Sequence, residues 1–210
     1  MRNLRSITGK TMRYPGGKNN SGSYQQIISS MPVHHEYIEG FYGSGAVFRF
    51  KRPALHSVLI DRDSTVLPAP APGLDVVCGD CLAYLQSRSY AGSELIYLDP
   101  PYLFSARRSE NKGIYKFEFG TEDEHKRLLD LAKSIKANIM ISGYMSPLYL
   151  SMLKGWRVRS WQVQTRGGVA LEFLWMNFPE PGILHDARYV GQTFTERQRL
   201  RRLIGTEKRS

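Results

Sequence analysis

Apolar residues along this chain fall into short runs broken by polar, glycine or proline punctuation, in an order that alternates strand and helix. Tyr37–Glu39, Val58–Ile60, Leu74–Cys78, Leu95–Asp99 and Asn138–Ser142 predict strands, and the Leu95 run has the look of a buried one. Between them, Ala46–Phe50 and Cys81–Gln86 predict short helices. Thr121 with Glu124 forms a capping-box signature ahead of an apolar face made by Leu128, Leu129, Leu131, Ala132 and Ile135. Val158–Gln164 and Leu171–Phe178 flank Arg166-Gly167-Gly168 and predict an antiparallel hairpin. Further on, Thr195-Glu196-Arg197-Gln198 fits a second capping box, opening a basic helix that runs to about Ile204. Strands alternating with helices and closed by a hairpin specify an α/β fold with a mostly parallel sheet.

The fourth run ends abruptly in Asp99-Pro100-Pro101-Tyr102. Proline lacks the N–H that would continue a ladder and pushes the residue before it into an extended conformation, so the strand must stop there. Asp99 is therefore parked at a strand's carboxyl end, the edge where open parallel sheets bind ligands. A plain strand-to-turn exit is the alternative, since Asp-Pro is ordinary turn chemistry. A carboxylate, the Pro100 carbonyl and the Tyr102 ring together suit chemistry on an exocyclic amine. An adenine N6 is a poor nucleophile because its lone pair is delocalised into the ring. Acceptors on its two N–H bonds favour a pyramidal nitrogen that can attack an electrophilic methyl. Tyr102 would stack on a base that has left the duplex.

Other motifs fall around this one. In Arg13-Tyr14-Pro15-Gly16-Gly17-Lys18 two glycines let backbone approach a ligand and Lys18 offers a cation, although the same residues could form a simple turn. Gly40-Phe41-Tyr42-Gly43-Ser44-Gly45 is a glycine-rich turn between strand and helix. It lacks the third glycine of the dinucleotide fingerprint and suits a nucleoside without a pyrophosphate. Asp61, at the tip of the second strand, can accept from ribose hydroxyls or close a turn, and Asp80 can bond an adenine amino group or cap the helix after it. Ser64 to Gly73 carries Pro68, Pro70 and Pro72 and reads as a stiff connector. Leu103 to Gly120 is long, polar and basic through Arg107, Arg108, Lys112 and Lys116, the character of a lid or substrate-binding loop.

The 210 residues suffice for one domain, drawn here as a basic arm over 1–12, a main domain over 13–178 and a basic tail over 179–210. Lys+Arg 29 against Asp+Glu 19 gives a formal charge of +10, which favours an anionic partner, most often nucleic acid. Arg197 and Arg201 on the last helix could grip phosphate, or the helix could be solvated or an oligomer contact. Cys78 and Cys81 have no second ligand pair to complete a metal site and read as reduced thiols of a cytoplasmic protein. The first twelve residues have no apolar core, and no run approaches membrane-spanning length, so neither a secretory signal nor a membrane partner is expected.

Taken in order, Tyr14-Pro15-Gly16-Gly17-Lys18, Glu39 to Gly45, Asp61, Gly79-Asp80 and Asp99 to Tyr102 resemble the Dam-like, D12 class DNA adenine N6-methyltransferases, over about Arg13 to Phe178. The resemblance implies the Rossmann-like class I fold of S-adenosylmethionine-dependent methyltransferases, a mostly parallel seven-stranded sheet with an antiparallel hairpin. It implies S-adenosylmethionine as methyl donor and a flipped adenine of duplex DNA as acceptor. Carried over by position, Tyr14, Gly17, Lys18, Glu39, Phe41, Gly43, Gly45, Asp61 and Asp80 line the cofactor. Asp99, Pro100 and Tyr102 serve the base, with Asp99 touching the cofactor as well. Sequence-specific members carry a recognition domain where this chain has only the proline connector, which implies weak sequence preference. With Asp186-Ala187-Arg188-Tyr189-Val190-Gly191 after Phe178, the chain looks like the short, relaxed-specificity enzymes of Mu-like prophages. That resemblance implies a bacterial or phage-encoded protein that shields DNA from restriction. An RNA adenine methyltransferase and an inactive nucleic-acid-binding prophage relic are the alternatives.

Overall fold

The computed structural model describes residues 17–18, 22–107, 113, 115–165, 168–191 and 194–207, with the backbone alone over 201–207. Tyr14, Arg108 and Lys112, and the arm over 1–12, lie outside the described residues, as does the side chain of Arg201. In chain order the elements are α1 (Ser23–Ile28), β1 (Glu36–Gly40), α2 (Ala46–Phe50), β2 (His56–Asp61), β3 (Leu74–Cys78), α3 (Cys81–Gln86) and β4 (Leu95–Leu98). There follow α4 (Glu122–Ser134), β5 (Asn138–Gly143), α5 (Pro147–Met152), β6 (Arg157–Thr165), β7 (Gly168–Met176) and α6 (Phe194–Glu207). The strands form one seven-stranded sheet in the order β3-β2-β1-β4-β5-β7-β6. β1 to β5 pair in parallel, and β7 enters antiparallel between β5 and β6. This is the Rossmann-like class I arrangement expected from the sequence.

The period-two alternation of the strands sorts their side chains onto two buried faces. Ile38, Val58, Ile60, Ile96, Leu98, Ile139 and Ile141 meet α3, α4 and α5 through Leu82, Leu85, Leu128, Leu129 and Tyr149. Tyr37, Leu95, Tyr97, Met140, Leu174 and Met176 meet α1 and α2 through Ile27, Ile28 and Val47. Both faces of the central strands are covered, so their runs are mostly apolar, with a few buried polar residues such as Glu39 and Ser142. From β1 the chain builds outward through β2 to β3, then returns across β1 to β4, which makes the gap between β1 and β4 the point where strand order reverses. Gly40 and Leu98 are register partners there, so the glycine loop and Asp99 leave the sheet side by side.

The structure departs from the sequence reading in three places. α1 and α5 are six residues each, too short to show a helical period, although Ser146 caps α5 and Pro147 occupies its first turn. Thr195 is no cap, because α6 already begins at Phe194. The packed body also continues past Phe178. Leu184 bridges Pro32, the His185 N–H donates to the Met31 carbonyl at 3.0 Å, and the buried Asp186 carboxylate accepts from the Arg52 N–H at 2.9 Å. Residues 182–191 thus belong to the domain rather than to a tail. Among the described residues, no helix is long and apolar enough to cross a membrane, and no group of His, Cys, Asp and Glu could hold a metal ion.

Candidate active site

Asp99 leaves β4 beside a lysine. The Lys18 ammonium donates to Asp99 Oδ1 at 2.7 Å and to the Tyr102 hydroxyl at 2.7 Å, and pairs with Glu172 Oε1 at 2.8 Å. The Tyr102 hydroxyl in turn donates to Glu172 Oε1 at 2.7 Å. Glu172 Oε2 accepts from Ser23 Oγ at 3.0 Å, and Ser23 Oγ accepts from the Trp161 indole at 3.0 Å. Lys18 and Glu172 are nearly buried while the Asp99 side chain keeps 18% of its surface exposed, so the carboxylate at the cavity is Asp99. Burial works against the Lys18 ammonium, yet the attraction of Asp99 and then of Glu172 holds its pKa well above the usual lysine value. Burial pushes the Asp99 carboxyl up to about 6. Lys18 opposes the rise and Glu172 adds to it.

A partly enclosed cavity opens at this sheet edge. Gly17 and Lys18, Glu39, the loop over Phe41–Ser44, Asp61 and Asp99–Tyr102 line it, and Tyr115 and Phe117–Phe119 cover it. Burial pushes the Glu39 carboxyl up to about 8, even though it accepts a 2.7 Å hydrogen bond from the Tyr37 hydroxyl. Asp61 accepts from the Gly43 N–H at 2.9 Å and the Asp63 N–H at 2.8 Å, so the acid at the tip of β2 holds the glycine loop in place. Phe41 in that loop adopts φ 58°, a conformation that favours glycine, and its ring meets Phe119 edge-on at 5.1 Å. Tyr102 and Tyr115 line the cavity beside Asp99, and the Tyr102 ring meets the Tyr144 ring edge-on at 4.4 Å.

The turn after Asp99 is held from below. His125 on α4 is buried, its Nε2 lies 3.1 Å from the Pro101 carbonyl and 2.8 Å from the Phe119 carbonyl, and its Nδ1 lies 2.8 Å from the Tyr149 hydroxyl. Two carbonyls on one nitrogen require Nε2 to carry the proton, which leaves Nδ1 to accept from tyrosine. Burial lowers the His125 pKa to about 4, so the ring is neutral and joins the Asp99–Tyr102 turn to the segment that covers the cavity.

The chain is similar to known proteins over part of its length. The family described as D12 class N6 adenine-specific DNA methyltransferase matches residues 71–166. The Dam-like resemblance holds. The matched stretch contains Asp99–Tyr102 and lies outside Lys18 and the glycine loop. No curated protein matches the chain. Among solved structures, a SAM-dependent methyltransferase from Agrobacterium tumefaciens is similar with TM-score 0.46 and 13% identity, over 74% of this chain and 60% of that one. TrmN from Thermus thermophilus is similar with TM-score 0.47 and 13% identity, over 74% of this chain and 47% of that one. Spermidine synthase from Thermotoga maritima gives 0.47 and 13%, over 76% and 61%. The chain spans less than two thirds of the length of each.

Of the residues singled out in the Dam-like reading, Gly17, Lys18, Glu39, Phe41, Gly43, Asp61, Asp99, Pro100 and Tyr102 line this cavity. Gly45 does not. It is the left-handed N-cap of α2 at φ 61°, where a Cβ would lie 2.1 Å from the Tyr42 ring. Asp80 also stands off the cavity, capping α3 through the Ala83 N–H at 2.8 Å and pairing with Arg62, so the capping alternative is the one realised. Arg107 is corrected as a nucleic-acid contact. Its guanidinium turns inward onto the Tyr102 carbonyl at 2.8 Å and Glu118 at 2.6 Å, with only 7% of the side chain exposed. Lys116 is exposed but paired with Asp63 at 2.9 Å, and Arg197 donates to the Gly191 carbonyl. Sequence reasoning missed Glu172, whereas Tyr115 falls in the segment read as a lid or substrate-binding loop. The signal for Glu172 was an acid inside the apolar run Leu171–Phe178, where an unpaired carboxylate would be costly.

Proposed function

We propose that this chain transfers a methyl group from S-adenosylmethionine to the N6 amino group of adenine in duplex DNA, with little sequence preference. The observation that carries the reading is Asp99. It is a partly exposed carboxylate at the switch point of a parallel sheet, held by Lys18, with Tyr102 and Tyr115 lining the same cavity. The cavity also fits the cofactor. Glu39, Asp61, Asp99 and Glu118 line it against Lys18 and Arg62, and Glu39, neutral when the site is empty, can ionise beside a nucleoside carrying sulfonium and ammonium charges. When bound, S-adenosylmethionine supplies a methyl group on a positively charged sulfur.

The chain's own residues then do three things. Asp99 accepts one N6–H and the Pro100 carbonyl the other, which frees the nitrogen lone pair for attack, while the stiff proline pair keeps both acceptors in place. Tyr102 and Tyr115 supply ring surface for a base taken out of the duplex. Asp99, raised to about 6, takes up the proton that N6 loses as the N–C bond forms, and returns it to solvent near neutral pH. Low sequence preference is supported by the connections. Only a proline-bearing segment joins β2 to β3 and only α3 lies between β3 and β4, which leaves no inserted structure to read base edges in a groove.

The test is incubation with labelled S-adenosylmethionine and unmethylated duplexes that place adenine in many contexts, followed by nucleoside digestion and mass spectrometry. N6-methyladenine spread over those contexts is the expected result. Modification of a single short motif would refute the relaxed preference, and absence of N6-methyladenine would refute the reaction.

A further inference from the structure

We propose that Glu172, on β7, is the second carboxylate that keeps Asp99 a strong hydrogen-bond acceptor, by sharing the Lys18 ammonium with it. The inference rests on the reading of Asp99 as the acceptor for an amine. The ammonium lies 2.7, 2.8 and 2.7 Å from Asp99 Oδ1, Glu172 Oε1 and the Tyr102 hydroxyl. A lysine facing Asp99 alone would form a neutral pair and draw the carboxylate's electron density toward itself. With Glu172 on the same nitrogen, the set of three charged groups keeps one net negative charge. That is the sign required where positive charge develops on an attacking nitrogen.

The surroundings of Glu172 are arranged for an ionised carboxylate. Oε1 receives Lys18 and the Tyr102 hydroxyl, and Oε2 receives Ser23 Oγ, so every partner is a donor. Trp161, its register partner on β6, supports Ser23 from behind. Glu172 is 4% exposed and does not line the cavity, so it acts through Lys18 and Tyr102 as a positioning residue.

The other titratable groups facing Asp99 stay uncharged in the relevant range. They are Tyr97 on β4, Tyr102 on its own turn, Tyr115 on the covering segment and Tyr149 on α5, all raised by burial, and Glu39 on β1, raised to about 8. The balance around Asp99 is therefore set by Lys18 and Glu172.

The experiment follows the Asp99 carboxyl by carbon-13 NMR in the full chain, assigned with Asp99→Asn, beside the pH profile of methyl transfer. In Glu172→Gln, which keeps the shape and an acceptor toward Lys18, the Asp99 midpoint should fall by roughly one unit or more. The acid limb of the rate profile should move with it, and kcat should drop roughly 10- to 100-fold while the KM for cofactor holds. Lys18→Gln should move the midpoint upward, and Glu172→Asp should leave it nearer the wild-type value. An unmoved midpoint in folded Glu172→Gln, or in Lys18→Gln, overturns the proposal. A midpoint that moves in a protein that methylates no adenine upholds the coupling and overturns the reading of the reaction.

Discussion

At the level of single residues, the site is a balance of buried charges, and that balance can be tested group by group. Asp99→Ala removes the acceptor but leaves Lys18 paired with Glu172, so the fold should survive. Methyl transfer should fall by on the order of 10²-fold or more, checked by product mass spectrometry beside an unchanged far-ultraviolet spectrum. Glu39, raised to about 8 by burial, is neutral in the free protein at pH 7 and becomes a carboxylate only as pH rises through that value. A cationic cofactor binds the carboxylate better, so its affinity should strengthen by up to about tenfold per pH unit from pH 6 to 8, and Glu39→Gln should flatten the dependence in titration calorimetry. Asp99 and Tyr102 were legible in the sequence because a proline pair stops a strand at a place that demands an explanation. Glu172 was not, because periodicity sees one polar residue in an apolar strand and says nothing of the lysine that meets it. The bond from Ser23 to Glu172 joins residues 149 positions apart.

At the level of elements, close approach and burial decide what can be changed. A Cβ on Gly40 would lie 2.3 Å from Cys81 Sγ and 2.9 Å from Leu98 Cδ2, so α3 rests directly on the end of β1. Gly40→Ala should cost about 1–3 kcal/mol in urea unfolding, and adding Cys81→Ala should recover part of the loss. His125 ties α4 to the turn after Asp99 and to the covering segment. Its pKa is lowered from 6.5 to about 4, so unfolded chains take up a proton below pH 6.5 that the folded chain refuses. The stability it contributes is complete above pH 6.5 and is lost as pH falls toward 4, at up to about 1.4 kcal/mol per unit. His125→Asn should be less stable at pH 7 and less sensitive to that fall, measured by denaturation at pH 7 and 5. Asp99 and Glu39, raised rather than lowered, act in the opposite sense in both proteins and cancel in the comparison. Strands were readable because both their faces are buried, whereas α1 and α5 take their shape from the sheet they cover.

Across the whole molecule, the formal charge of +10 and the packed residues 182–191 redraw the boundary between body and tail. The sequence placed that boundary at Phe178 because arginines and a proline follow it. Their partners, Pro32, Met31 and Arg52, belong to distant loops that no local pattern reveals. Truncation after Phe178 should lower the melting temperature by exposing Met31 and removing the His185 ring stacked on His34. Truncation after Gly191 should leave it nearly unchanged. If α6 meets phosphates, that second truncation should weaken DNA binding and flatten its salt dependence, by about one unit of slope for each phosphate that α6 had neutralised.

The hairpin that delivers Glu172 also sets when the site can exist. Lys18 and Asp99 are 81 residues apart, and the carboxylate that completes the trio arrives on the last strand of the sheet. Pairings of such long range close late in folding, after local structure has formed. A chain emerging from the ribosome therefore presents Asp99–Tyr102 well before the set of Lys18, Asp99 and Glu172 can assemble, which waits for β7 to pair between β5 and β6.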